Sequence, residues 1–70
     1  MKELKKVNIG WLMNKAGYTR IALSNRYEKT PNTISNWCTG KSFPSVKELF
    51  DLADILGVKV DDLYEWEEKE

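Results

Sequence analysis

Residues that start and stop helices recur so often along this chain that no helix in it can run far. Asn8, Thr19, Thr30 and Ser45 are good N-cap types, and Gly17, Gly40 and Gly57 stand where helices begun at such caps would end. The strongest local signal is Ser45 with Glu48 three residues on. This is a capping box, in which the serine side chain and the glutamate side chain each satisfy a backbone N–H of the first turn. Thr30-Pro31 is nearly as clear, because proline at the first helical position lacks only an N–H that would have had no partner there.

Between these marks the apolar residues fall at helical spacing. Ile9 and Leu12, with Trp11 close by, belong to a first helix that Gly17 ends; Leu23 and Tyr27 belong to a second opened by Thr19. Ile34 and Trp37 belong to a third that ends before Gly40, and Lys41-Ser42-Phe43-Pro44 is loop. The segment behind Ser45 carries Val46, Leu49, Phe50, Leu52, Ala53, Ile55 and Leu56, apolar enough to be the central core helix, and Gly57 stops it. Asp61, Asp62, Leu63 and Tyr64 form a last helical turn, followed by an acidic tail over residues 65–70 that is either frayed or a short strand. The fold class read from the chain is therefore all-α, a single five-helix domain over residues 1–70, with any short strand confined to the terminal segments.

Seventy residues build only a marginal core, and chains of this size often gain stability by helix idealisation or by dimerising. One cysteine and no histidine leave neither a disulfide framework nor a Cys/His zinc site, and no cofactor is expected. Catalysis is not expected either: there is no histidine or glycine-rich phosphate loop, and the carboxylates gather toward the tail. No apolar run approaches the ~20 residues that span a bilayer, so no membrane partner is expected. The charged start lacks the apolar stretch of a signal peptide, which points to the cytoplasm. The net charge of zero hides an asymmetry. Residues 1–42 hold eight Lys/Arg against two acids, and residues 43–70 hold three Lys against nine acids. That division suits a face prepared for a polyanion; it is also what an acidic helix and tail solvated by water would give.

The informative part lies between about Thr19 and Cys38. Two helices of about eight residues are joined by a tight turn at Glu28–Lys29, with Leu23 and Ile34 packing inside and Ser24 as the small residue where the helices cross. A short exposed helix beginning Thr-Pro-Asn-Thr can lay its first side chains against base edges in a major groove ~12 Å wide. Its polar face offers Asn32, Thr33, Ser35 and Asn36, amides and hydroxyls rather than paired charges.

The order of parts resembles the Xre/Cro-like, lambda-repressor-like helix-turn-helix family. The resemblance runs from Ile9 to Tyr64, through Tyr18-Thr-Arg-Ile-Ala-Leu-Ser, Thr30-Pro-Asn-Thr-Ile-Ser-Asn-Trp-Cys-Thr-Gly-Lys, Pro44-Ser, Leu52-Ala-Asp-Ile-Leu-Gly-Val and Asp61-Asp-Leu. It implies a homodimer bound to double-stranded operator DNA. Pro31, Asn32, Thr33 and Asn36 occupy the base-reading positions, and Arg20, Thr30, Ser35, Thr39, Gly40, Lys41 and Ser42 the positions near phosphates. Leu63, Tyr64 and Trp66 fall at the dimer seam. The function implied is a transcriptional regulator, a repressor of a phage or other bacterial switch, with no effector-binding domain. An antitoxin or restriction–modification controller would use the same fold. A protein-interaction module that has lost DNA binding would fit the acidic second half and Pro31.

Several departures from the family pattern matter. Glu28 stands where the turn usually has glycine, so a left-handed conformation there would strain it by about 1 kcal/mol. Lys29 replaces an apolar staple, Lys59 a serine-type cap, and Ile21 a polar residue. Where many relatives pair an Arg on the first helix with a Glu on the third, this chain has Met13 and Cys38, both apolar. Those two side chains are expected to lie together, with the cysteine structural and Trp37 packing its helix onto the core.

Overall fold

The structure, a computed structural model, describes residues 1–68. Strand β1 (Lys2–Val7) leads into helices α1 (Ile9–Ala16), α2 (Arg20–Tyr27), α3 (Pro31–Thr39) and α4 (Val46–Leu56). A 3-10 turn at Val60–Leu63 then feeds strand β2 (Tyr64–Glu68). The last two residues of the acidic tail, 69 and 70, lie outside the described part.

The caps act as their chemistry dictates. Thr19 accepts from Ala22 N–H, Thr30 from Thr33 N–H, and Ser45 and Glu48 form the reciprocal box. Gly17, Gly40 and Gly57 take left-handed conformations at the helix ends. Asn8 stands at the start of α1 but does not cap it. Its side-chain amide donates instead to Asp62 O at 3.2 Å, and its N–H to Leu63 O at 2.8 Å, fastening the first helix to the 3-10 turn. At that turn the Asp62 carboxylate accepts Lys59 N–H at 3.0 Å, so half of a capping box survives without a serine.

The all-α expectation needs one correction. The termini form a two-stranded antiparallel ribbon, and the last helical element is a 3-10 turn that ends at Leu63, with Tyr64 already in the strand. In register, Lys2 faces Glu68, Leu4 faces Trp66, Lys6 faces Glu65 and Val7 faces Tyr64. A bulge between Leu4 and Lys6 lets Leu4 and Val7 share one face despite their odd spacing. That face lies over Gly40, where an added Cβ would sit 3.2 Å from Val7 and 3.7 Å from Leu4.

Ile9, Leu12 and Met13 from α1, Leu23 from α2, Ile34 and Trp37 from α3, Leu52 and Ala53 from α4, and Leu63 make the core. Leu63 is thus wholly buried in its own chain and cannot form part of a seam with another. The central-helix expectation for α4 holds only in part: Val46 and Phe50 are 70% and 64% exposed. One polar tie joins α2 to α4. Arg26 donates two bonds to the Asp51 carboxylate, at 2.7 and 2.8 Å, and Tyr27 OH donates a third at 2.7 Å. These donors hold Asp51 down to about 2.

The turn between α2 and α3 is where local preference and fold disagree. Lys29 N–H reaches Ser24 O at 2.9 Å and Glu28 N–H reaches Asn25 O, the paired closure that requires a left-handed residue between them. Glu28 fills that place with φ 55° and ψ 44°, and among the described residues no other non-glycine has positive φ. Glu28→Gly should therefore raise unfolding stability by about 0.5 kcal/mol, the left-handed penalty less glycine's extra chain entropy. For a domain this small that is about 2–4 °C in the thermal midpoint. Glu28→Ala keeps the Cβ and the strain; a Glu28→Gly midpoint below that of Glu28→Ala, by the full entropic cost of glycine, would show that the turn stores none.

Candidate nucleic-acid interface

Helix α3 is gripped from one side only. Ile34 and Trp37 are buried, and the Trp37 ring packs at 5.5 Å on Tyr27. At 3.6 residues per turn, these positions turn Asn32 and Asn36 to the opposite face, one turn apart, with Ser35 and Thr39 beside them. Asn32 and Thr39 are exposed and Ser35 and Asn36 half-buried, so four neutral hydrogen-bonding side chains form one outward stripe. Pro31 is exposed at its leading end.

The other candidate residues divide by what their groups already do. Thr30 Oγ lies 3.0 Å from the Thr33 hydroxyl and accepts Thr33 N–H at 3.2 Å. Of the two hydroxyl protons, one is spent within the pair and one is left for an outside acceptor. Thr39 OH donates to Ser35 O at 3.2 Å. The N–H groups of Gly40, Lys41 and Ser42 all turn back to Asn36 O, so none is left to approach a phosphate. Gly40 has no side chain to offer and lies under β1, so its place is structural. Phosphate contact from this loop falls to the Lys41 and Ser42 side chains. Arg20, the first residue of α2, is exposed and lies near enough to Cys38 to stabilise its thiolate.

Charge sharpens the picture. From residue 29 to residue 47 the chain has three lysines and no Asp or Glu. The ribbon sets Lys2 against Glu68 and Lys6 against Glu65, so much of the asymmetry between the halves of the sequence cancels in space. Arg26 is taken by Asp51 and Lys29 lies 4.0 Å from Glu48. Among the described residues neither Arg20 nor Lys41, the bases beside the polar stripe, is held in an ion pair.

Tyr64 and Trp66 do not stand with Leu63. They continue a row of tilted rings, Phe43 to Tyr64 at 5.9 Å and Tyr64 to Trp66 at 6.3 Å, with Trp66 52% exposed. The sequence reading missed the exposure of Val46 and Phe50. The signal was present: seven apolar residues in an eleven-residue helix make a stripe wider than one buried face needs. Ile21 is exposed, and nothing in the fold accounts for it.

Met13 and Cys38 meet as expected, with Cys38 Sγ 3.6 Å from Met13 Sδ. Burial pushes the Cys38 thiol up, against the smaller pull of Arg20, so the sulfur is held as a packed thiol. Cys38→Glu would place a carboxylate beside a buried thioether and should cost several kcal/mol, about 3–5 at the upper end. Met13→Arg combined with Cys38→Glu should recover much of that loss. Thermal midpoints of both single variants and the double complete the cycle, and additive effects would mean that the two positions are not coupled.

Among the described residues no group of three or more His, Cys, Asp or Glu could hold a metal, and no helix is long and apolar enough to cross a membrane. No curated protein sequence matches the chain. The crystal structure of a candidate DNA-binding protein from Bacteroides fragilis superimposes with a TM-score of 0.75 at 31% identity. The match covers 93% of this chain and all of that one. The profile of the helix-turn-helix family matches residues 9–63, from the first core residue of α1 to the last of the 3-10 turn. With that span, the capped α2–turn–α3 unit and its outward polar stripe, the chain belongs to the Xre/Cro-type helix-turn-helix family of DNA-binding domains.

Proposed function

We propose that this protein is a sequence-specific transcriptional regulator that binds operator DNA as a homodimer and represses by occluding the promoter, as in a phage or other bacterial switch. The observation that carries this reading is the outward stripe of α3, which presents Asn32 and Asn36 one turn apart on a helix that contains no acidic residue. Asparagine can pair bidentately with adenine N6 and N7, and a threonine methyl can meet the thymine methyl, so half-sites containing A·T pairs are the expected targets. Arg20, Lys41 and the side-chain hydroxyls of Thr30, Ser35 and Ser42 then serve phosphates, fixing register without reading sequence, while Thr39 would have to give up its bond to Ser35 O to join them. The B. fragilis relative, described as a candidate DNA-binding protein, supports the same class of ligand.

Selection of sites from a random DNA pool tests the reading directly. It should return an enriched half-site repeated about one helical turn away, roughly 34–36 Å centre to centre. No enrichment would refute sequence-specific binding. On the selected site Asn32→Ala should cost about 1–3 kcal/mol, with little effect on unrelated DNA. Equal losses on both would reduce Asn32 to a backbone contact. In a dimer, Arg20→Ala with Lys41→Ala removes four phosphate contacts, and the slope of log K against log salt should shrink by roughly 3–4 units at ~0.9 per contact. An unchanged slope would show both residues to be bystanders.

A further inference from the structure

Helix α4 buries Leu52 and Ala53 and turns Asp51 toward α2. Its other flank is left bare. Val46 and Phe50 lie one turn apart there, and among the described residues no element covers them. Beside Phe50 opens a surface hollow of about 510 Å³, with Ala53, Val58 and Val60 supplying its apolar lining. Lys59 stands at its rim together with Asp54 and Asp61.

A projecting aromatic ring, an apolar hollow and charges of both signs on one small patch are what a two-fold contact requires, because the same surface must serve as both partners. We propose that the Val46–Phe50 flank of α4 is the surface on which two copies of this chain associate. Phe50 of each copy fills the hollow of the other, and Lys59 of each faces Asp54 of the other. The competing surface is the ribbon, where Trp66 is half-exposed, but the Trp66 ring already packs on Tyr64, and Tyr64 on Phe43, whereas Phe50 has no ring contact among the described residues. The inference supplies the seam of the dimer proposed above and rests on that reading, so its test is made without DNA.

Sedimentation equilibrium of the full chain should show a reversible monomer–dimer equilibrium. Phe50→Glu should raise its dissociation constant at least tenfold while circular dichroism retains a cooperative unfolding transition, since the side chain is already exposed. Trp66→Ala should leave the constant unchanged. Asp54→Lys alone should weaken the dimer, and adding Lys59→Asp should restore it, because the swap rebuilds both cross-pairs. A wild-type chain that stays monomeric at every concentration overturns the seam, whatever other partner the flank then serves. Undiminished dimerisation of Phe50→Glu, or dissociation caused by Trp66→Ala, overturns it equally. A wild-type dimer that Phe50→Glu dissociates, in a protein that enriches no DNA site, would keep the seam and refute the regulator reading instead.

Discussion

Burial of Ile34 and Trp37 sets the orientation of α3, and the proposed chemistry of the protein follows from that orientation. Each large apolar side chain withdrawn from water contributes ~1.5–3 kcal/mol, against a total stability of only ~5–15 kcal/mol for a domain. Turning α3 by one residue about its axis would expose that apolar surface and drive an asparagine amide toward the core without partners. The helix has one stable rotation, and it presents Asn32, Ser35, Asn36 and Thr39 to the outside. A readable polar face is thus a consequence of packing on the reverse side. The C-cap keeps the end of that face in place, because the amides of residues 40–42 are committed to Asn36 O and Gly40 is pinned beneath Leu4 and Val7.

The electrostatics of the surface depend more on missing acids than on abundant bases. Most of the acids in the second half of the chain lie on β2, where Glu65 and Glu68 face Lys6 and Lys2 while Glu67 faces Glu3, and on α4, where Asp51 and Glu48 occupy Arg26 and Lys29. Few bases therefore suffice beside α3, since among the described residues no carboxylate is paired with Arg20 or Lys41. A phosphate backbone would meet Arg20 and Lys41 without first displacing a carboxylate.

Two contacts hold the scaffold together by opposite means. Between α1 and α3, where relatives of this family often place an ion pair, Met13 and Cys38 pack sulfur to sulfur and no buried charge has to be desolvated. Between α2 and α4 the tie is polar and at the surface, where Asp51 accepts three hydrogen bonds in a geometry that fixes direction as well as distance. The first is tolerant of pH and salt; the second fixes α2, the helix that leads into the turn at Glu28, against α4.

Helix starts and stops were legible in the chain because capping is a local reaction between a side chain and amides two or three residues away. Thr19, Thr30, Ser45 and Glu48 perform it, and Gly17, Gly40 and Gly57 close the helices, as their residue types dictate. The polar stripe of α3 followed from helical periodicity, whereas a left-handed Glu28 was suggested only by the resemblance, which puts glycine at that place in the turn. A short terminal strand was open from the sequence, but its pairing was not legible, because the two strands join residues more than fifty positions apart. Asn8 looked like a cap because its type fits one, but a carbonyl of the distant 3-10 turn was the better partner. Val46, Phe50 and Leu63 show the same limit from the apolar side. Periodicity marks them all as fit for burial, but only the finite volume between the packed helices decided that Leu63 went in while Val46 and Phe50 stayed out.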